Sequence, residues 1–224
     1  MSDALASFVP FERVETLGTR VREQLRRAIM VGLFKPGEKL TLRAIASALG
    51  VSLTPAREAL LNLGADGTLD IGPKGSIHIP VLDREKLREL LKVRLSLESL
   101  AAREAIHKLT SEDIIEISAI NDQLIEANQA KNYRELIDLN WSFHFTIYNA
   151  AQMPFLVRMI ESCWLRAGSY LNVIYPDFAS SDKGILNHIA ILRAIREHDA
   201  DALANALMHD IETSAEALYA QLES

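Results

Sequence analysis

Cysteine is nearly absent: the 224 residues contain one, Cys163. A single thiol excludes an internal disulfide framework and fits a reducing compartment. The helical pattern around Cys163 makes it a packed thiol rather than a reactive one. No apolar run approaches the roughly 20 residues that a membrane-spanning helix needs. The first residues, MSDALASFVPFERVE, lack the basic-then-apolar order of an export signal, so a cytoplasmic location away from membranes is expected. Internal repeats and low-complexity tracts are missing too. Apolar side chains, by contrast, make up 49% of the chain, enough to build one large or two small cores.

The net charge is −6, which by itself argues against a nucleic-acid partner. Its distribution argues otherwise. Residues 11–82 hold ten Lys/Arg against seven Asp/Glu, and residues 83–224 hold fourteen against twenty-two. A basic segment joined to an acidic one is a pattern of proteins that touch nucleic acid with the basic part.

The spacing Leu17, Val21, Leu25, Ile29 predicts a helix over 17–31. GLFKPGEKL breaks it at Pro36-Gly37. Thr41 is the expected N-cap of a short helix, LRAIASALG, stopped by Gly50. Val51-Ser52 turns the chain into a second helix over about 54–65, with Pro55 in the first turn, where proline is tolerated. Two short β segments, TLDI and SIHIPV, follow, joined by GPKG. Three helices and a small hairpin in this order predict a winged helix-turn-helix over 11–82. Asp83 is the expected N-cap of a different regime: helices over 83–107, 110–130, 132–151, 153–174, 181–198 and 199–221. Their short connections predict an antiparallel all-helical bundle over 83–222, so the fold class is mainly α.

In such a motif the second short helix lies in the major groove. Here it would turn Ala56, Ala59, Leu60 and Leu63 inward and offer Ser52, Thr54 and Arg57 to DNA. Hydroxyls bond phosphates or bases, and arginine grips guanine with two hydrogen bonds. Arg43 starts the preceding helix, and Lys74 with Gly75 forms the wing tip. The run GLFKPGEKLTLRAIASALGVSLTPAREALLNLGADGTLDIGPKGSIHI resembles the N-terminal domain of the GntR family of regulators. That resemblance implies DNA contacts at Arg43, Thr54, Arg57 and Gly75. Leu53 stands where the family often has arginine.

The second half places polar residues on apolar stripes. Asn140 and His144, four apart, share a helix face with Ile137, Trp141 and Tyr148. His188 shares one with Ile185, Leu192 and Ile195. His209 lies along the small residues Ala202, Ala206 and Thr213. Three imidazoles and an amide from three helices can converge on a metal in a bundle core, and neutral imidazole suits a divalent transition ion such as zinc or nickel. His78, His107 and His198 are read as wing, helix-end or surface groups, and Trp141, Phe145 and Trp164 as packing. Arg94 lies on the stripe of Leu87, Leu91 and Ala101; it either pairs with Glu98 or clamps an effector carboxylate. Arg166 and Tyr170 are further pocket candidates.

The pieces VRLSLESLAAREA, LNWSFHFTIYNAA, NHIAILRAI and ALMHDI resemble the FCD domain, the helical effector module of the FadR subfamily of GntR regulators. The resemblance implies metal ligation at Asn140, His144, His188 and His209. The family usually has aspartate at the first of these, and Asn140 with Leu53 points to one branch of it. The expected protein is a homodimeric transcription regulator. It would bind a near-palindromic double-stranded operator under control of a small organic acid. The alternative is a metal-dependent hydrolase using the histidines, against which no carboxylate base accompanies them in sequence.

Overall fold

A computed structural model describes residues 16–175 and 177–222. The N-terminal part comprises α1 (Leu17–Met30), β1 (Lys39–Leu40), α2 (Leu42–Ala48), α3 (Leu53–Ala65), β2 (Asp70–Ile71) and β3 (Ile77–His78). α1 begins at Thr16 and α2 at Thr41, whose hydroxyls accept from the Thr19 and Ala44 amides, satisfying donors that a helix start leaves open. The strands form one antiparallel sheet in the order β1-β3-β2, pairing Leu40 and Ile71 with Ile77. β1 corrects the sequence reading, which took this stretch as a turn only and foresaw a two-stranded hairpin. Two residues are too few to show alternation.

The bundle follows: α4 (Arg84–Ala105), α5 (Ser111–Gln129), α6 (Tyr133–Ala150), α7 (Pro154–Ile174), the short α8 (Asp177–Ser180), α9 (Lys183–Glu197) and α10 (Ala200–Leu222). Asp83 caps α4 by accepting from the Lys86 amide. Thr110 and Asp113 close a reciprocal capping box on α5. α8 lies where the sequence showed only a break.

The two parts are packed on each other. α1 lies on α7 at Gly168, where a Cβ would fall 2.8 Å from the Ile29 carbonyl oxygen. Ion pairs flank this close approach: Arg26 to Glu161 at 2.6 Å and Arg27 to Asp138 at 2.7 Å. The Tyr170 hydroxyl accepts from the Leu82 amide at 2.7 Å and so pins the connection between the halves. One hydrophobic cluster includes Ile29, Leu60 and Leu63 of the winged helix together with Ile160, Leu165 and Leu207 of the bundle.

Candidate functional site

α3 turns Pro55, Ala56, Ala59, Leu60 and Leu63 into the core, which leaves Ser52, Leu53, Thr54 and Arg57 on the exposed face. Arg43 is exposed at the start of α2. Ser52 occupies the N-cap of α3 without spending its hydroxyl on the helix. Among the described residues, Arg43, Arg57 and Lys74 form no ion pair within the chain. At the wing tip, Lys74 and Gly75 both have positive φ, 65° and 75°. That left-handed turn favours glycine at Gly75. Among the described residues, three cations without an ion pair, two hydroxyls without a hydrogen-bond partner and a tight wing are thus displayed on one domain.

The second site lies inside the bundle. His144 on α6, His188 on α9 and Asp210 on α10 present ligand atoms that all fall within 4.8 Å of one another. His144 Nε2 is 3.3 Å from an Asp210 carboxylate oxygen, and the Asn187 amide donates to the other at 3.2 Å. His188 is stacked on Phe143, with ring centroids 4.1 Å apart. Both of its ring nitrogens are buried and unpartnered. Burial pushes the His188 imidazolium pKa down to about 3, against the pull of Asp210, so the ring is neutral with a lone pair available. Burial also works to raise the Asp210 pKa, but the hydrogen bond from His144, the neighbouring histidines and Asn187 outweigh it and hold the carboxyl below its usual range. Two buried imidazoles and a carboxylate, with orphaned nitrogens between them, are a donor set that fits a divalent transition metal.

A buried polar relay supports His144. Glu98 is fully buried on α4 and accepts from Arg94 Nε at 2.7 Å, Tyr148 Oη at 2.5 Å and Trp164 Nε1 at 3.1 Å. With the Tyr148 proton committed to Glu98, its oxygen is free to accept from His144 Nδ1, 3.3 Å away. With a metal bound, an Nδ1–H donor to Tyr148 would leave an unprotonated Nε2 facing Asp210 and His188, in place of the Nε2–H that donates to Asp210 without one; this is the orientation that metal-binding histidines take from their outer partners. Burial alone would lower the Arg94 pKa, but Glu98 more than compensates and keeps it raised. The guanidinium also lies over the Trp164 ring, 4.8 Å from its centroid.

Arg94, Asn128, Asn140, Asp182, His188, Asp210 and Ser214 are among the polar residues lining one cavity of about 60 Å³. Asn140 and Arg94 are therefore brought to the same space as the histidine cluster, and the Arg94–Glu98 pair forms as well. His209 is not brought there. It is exposed, and the inward position belongs to Asp210, the next residue. α10 buries Leu203, Leu207, Asp210 and Ile211. The line of small residues that led to His209 runs beside that stripe, about one residue out of phase. The large apolar residues at 203, 207 and 211 were the sequence signal for Asp210. Arg166 and Tyr170 also lie elsewhere. Arg166 is exposed on α7 against Gly67, where a Cβ would collide with its guanidinium. Tyr170 holds Leu82. Both face the junction between the halves rather than the cavity.

Comparison with known proteins gives two family matches: bacterial regulatory proteins of the gntR family over residues 17–79 and the FCD domain over residues 89–213. The chain is 29% identical over 208 residues to the HTH-type transcriptional regulator McbR of Escherichia coli, spanning 92% of this chain and 94% of McbR. It is 32% identical over 142 residues to the HTH-type transcriptional regulator YdhC of Bacillus subtilis, 62% of each protein. The solved structure of E. coli McbR/YncC superposes with a TM-score of 0.87 over 92% of this chain and 98% of that one. A GntR-type regulator from Rhodococcus sp. RHA1, 22% identical, shares the fold with a TM-score of 0.72 over 92% of this chain and 96% of that one. The likeness to McbR agrees with the branch to which Leu53 and Asn140 point. With a winged helix-turn-helix displaying unpaired cations and a helical bundle enclosing a polar cavity, the chain belongs to the GntR family of transcriptional regulators and carries an FCD effector domain.

Proposed function

We propose that this regulator senses a small carboxylate held beside a metal ion in the bundle and passes its presence to the DNA-binding face through α7. The observation that carries this reading is the orphaned, neutral His188, lining the same cavity as the buried cation of Arg94. His144, His188 and Asp210 would hold the ion, with Asn140 as a neutral oxygen donor at the cavity wall. Zinc and nickel suit the donors best. When bound, the ion would offer Lewis-acid attraction to a ligand oxygen. Arg94 would supply the second anchor, exchanging part of its grip on Glu98 for the anion. The cavity is small, so a short organic acid fits it better than a long one.

α7 links cavity to DNA head. Trp164 and Leu171 line the cavity, while Gly168 and Glu161 on the same helix hold α1. A ligand that shifts α7 changes the relative stability of two head positions, which is all that control of DNA affinity requires.

On the DNA side, Arg43, Ser52, Thr54, Arg57, Lys74 and Gly75 form the contact set, with division of the chain at 82/83. Two copies would meet a near-palindrome. The face best suited to pair them is the groove between α4 and α7, where Val93 and Met159 are 40% and 43% exposed beside Leu97. Leu100 and Phe155, 43% and 70% exposed, extend the two helix faces. No helix among the described residues is long and apolar enough to cross a membrane, and a regulator of DNA works in the cytoplasm. The metal-dependent hydrolase considered above finds no support in the relatives, which are regulators, and the site is read as sensory rather than catalytic.

The test is operator release by short carboxylic acids, added with zinc or nickel, compared between wild type and Arg94→Ala. The wild type is expected to release DNA, or to bind it more tightly, with one of them. Arg94→Ala, assayed well below its lowered melting temperature, should bind operator equally well and not respond. A variant that responds at the wild-type concentration would remove Arg94 from the sensing site.

A further inference from the structure

The DNA-facing side of α3 carries an apolar residue that the contact set above does not use. Leu53 opens the helix, is 46% exposed and belongs to neither of the hydrophobic clusters. It stands between the free hydroxyls of Ser52 and Thr54, and Arg57 lies four residues on, on the same helix face. A leucine in this place leaves nearly half of its surface to solvent, on the face that a recognition helix turns to the base edges.

Its chemistry limits what it can read. Leucine has neither donor nor acceptor, so it satisfies no polar group on guanine, cytosine or adenine. Thymine alone presents a methyl group, at C5, in the major groove. Facing guanine, the same leucine would strip water from the O6 and N7 acceptors and return nothing, which is a penalty. One side chain therefore both favours thymine and disfavours guanine.

We propose that Leu53 is a specificity-determining residue that reads the C5-methyl of one thymine in each half-site of the operator. This rests on α3 being the recognition helix.

The experiment uses the full-length chain to select double-stranded sites from a random DNA pool. The dominant site is then resynthesised with each thymine in turn replaced by uracil, which removes the methyl group and leaves every hydrogen-bonding group in place. At one position per half-site, the replacement should weaken wild-type binding roughly fourfold, the scale of one buried methyl. Leu53→Ala should bind the normal and uracil sites equally. A fresh selection with Leu53→Arg should exchange that thymine for guanine, the base that arginine grips. Leu53 is exposed, so neither variant disturbs the core. If uracil costs wild type and Leu53→Ala the same at every position, or costs neither, the proposal fails. In that case site-specific binding that is still lost in Arg57→Ala would leave the recognition helix standing. A selection that yields no preferred site would overturn both.

Discussion

Replacing Glu98 by glutamine tests whether the buried relay behind the His144–His188–Asp210 cluster is arranged as described. One carboxylate oxygen accepts from both Tyr148 and Trp164, at 2.5 and 3.1 Å. The other accepts from Arg94 Nε at 2.7 Å. In Glu98→Gln the amide oxygen takes the first position, because two donors demand it. The amide nitrogen is then forced against the Arg94 guanidinium, donor facing donor. The cation, only 12% exposed, loses its counter-charge. Breaking a buried pair on one side costs about 3–5 kcal/mol, equivalent in a chain of this size to a fall in melting temperature of roughly 10 °C. The double variant Arg94→Met/Glu98→Gln removes the stranded cation and keeps the acceptor for Tyr148 and Trp164, so most of that loss should return. Urea titrations of the wild type, both single variants and the double variant complete the cycle. A loss below about 1 kcal/mol in Glu98→Gln, or a double variant no more stable than that single one, would refute the reasoning.

Metal content separates the site in the structure from the one expected along the sequence. His188→Ala and Asp210→Ala should each lower bound zinc or nickel at least tenfold, by elemental analysis of protein prepared without chelator. His209→Ala should leave it unchanged; the reverse pattern would restore His209 as the ligand. Gly168→Val should push α1 from α7, because its Cβ meets the Ile29 carbonyl. Overpacking of this kind costs about 1–3 kcal/mol. It should weaken the effector response of operator binding more than operator binding itself, and a variant with a normal response would show that the α1–α7 contact does not carry the signal.

The architecture was legible in the sequence wherever one residue had one local job. Thr41 and Asp83 announced helix starts, and both side chains cap as expected. The apolar face of α3 follows directly from the spacing of Ala56, Ala59, Leu60 and Leu63. The site was legible to the level of the helix but not always of the residue. Each residue advances a helix by about 100°, so choosing the small-residue line on α10 instead of the large apolar one turned His209 inward in place of Asp210. β1 was invisible because its pairing with β3 is a tertiary event. The roles of Arg166 and Tyr170 were hidden for the same reason. Both lie on α7, but on the side facing the DNA-binding half, and no local pattern says which neighbour a buried face will find. Glu98 was named only as an alternative partner for Arg94, since nothing near it in sequence reveals Tyr148 and Trp164 closing on it.

Because Ile29 and Leu60 share their hydrophobic cluster with Ile160 and Leu165, the DNA head and the bundle are expected to unfold as one body. Heat or denaturant should dissolve them together, in a single transition. Both tryptophans, Trp141 and Trp164, lie in the bundle, yet their fluorescence would also report the melting of the head. A ligand present at a hundred times its dissociation constant adds about 2.7 kcal/mol to whatever it binds. Here that gain would protect α3 from proteolysis although the ligand would not touch it. A head severed after residue 82 would present Ile29 and Met30 to water, so the surface proposed to carry the signal would also bind the stabilities of the two halves together.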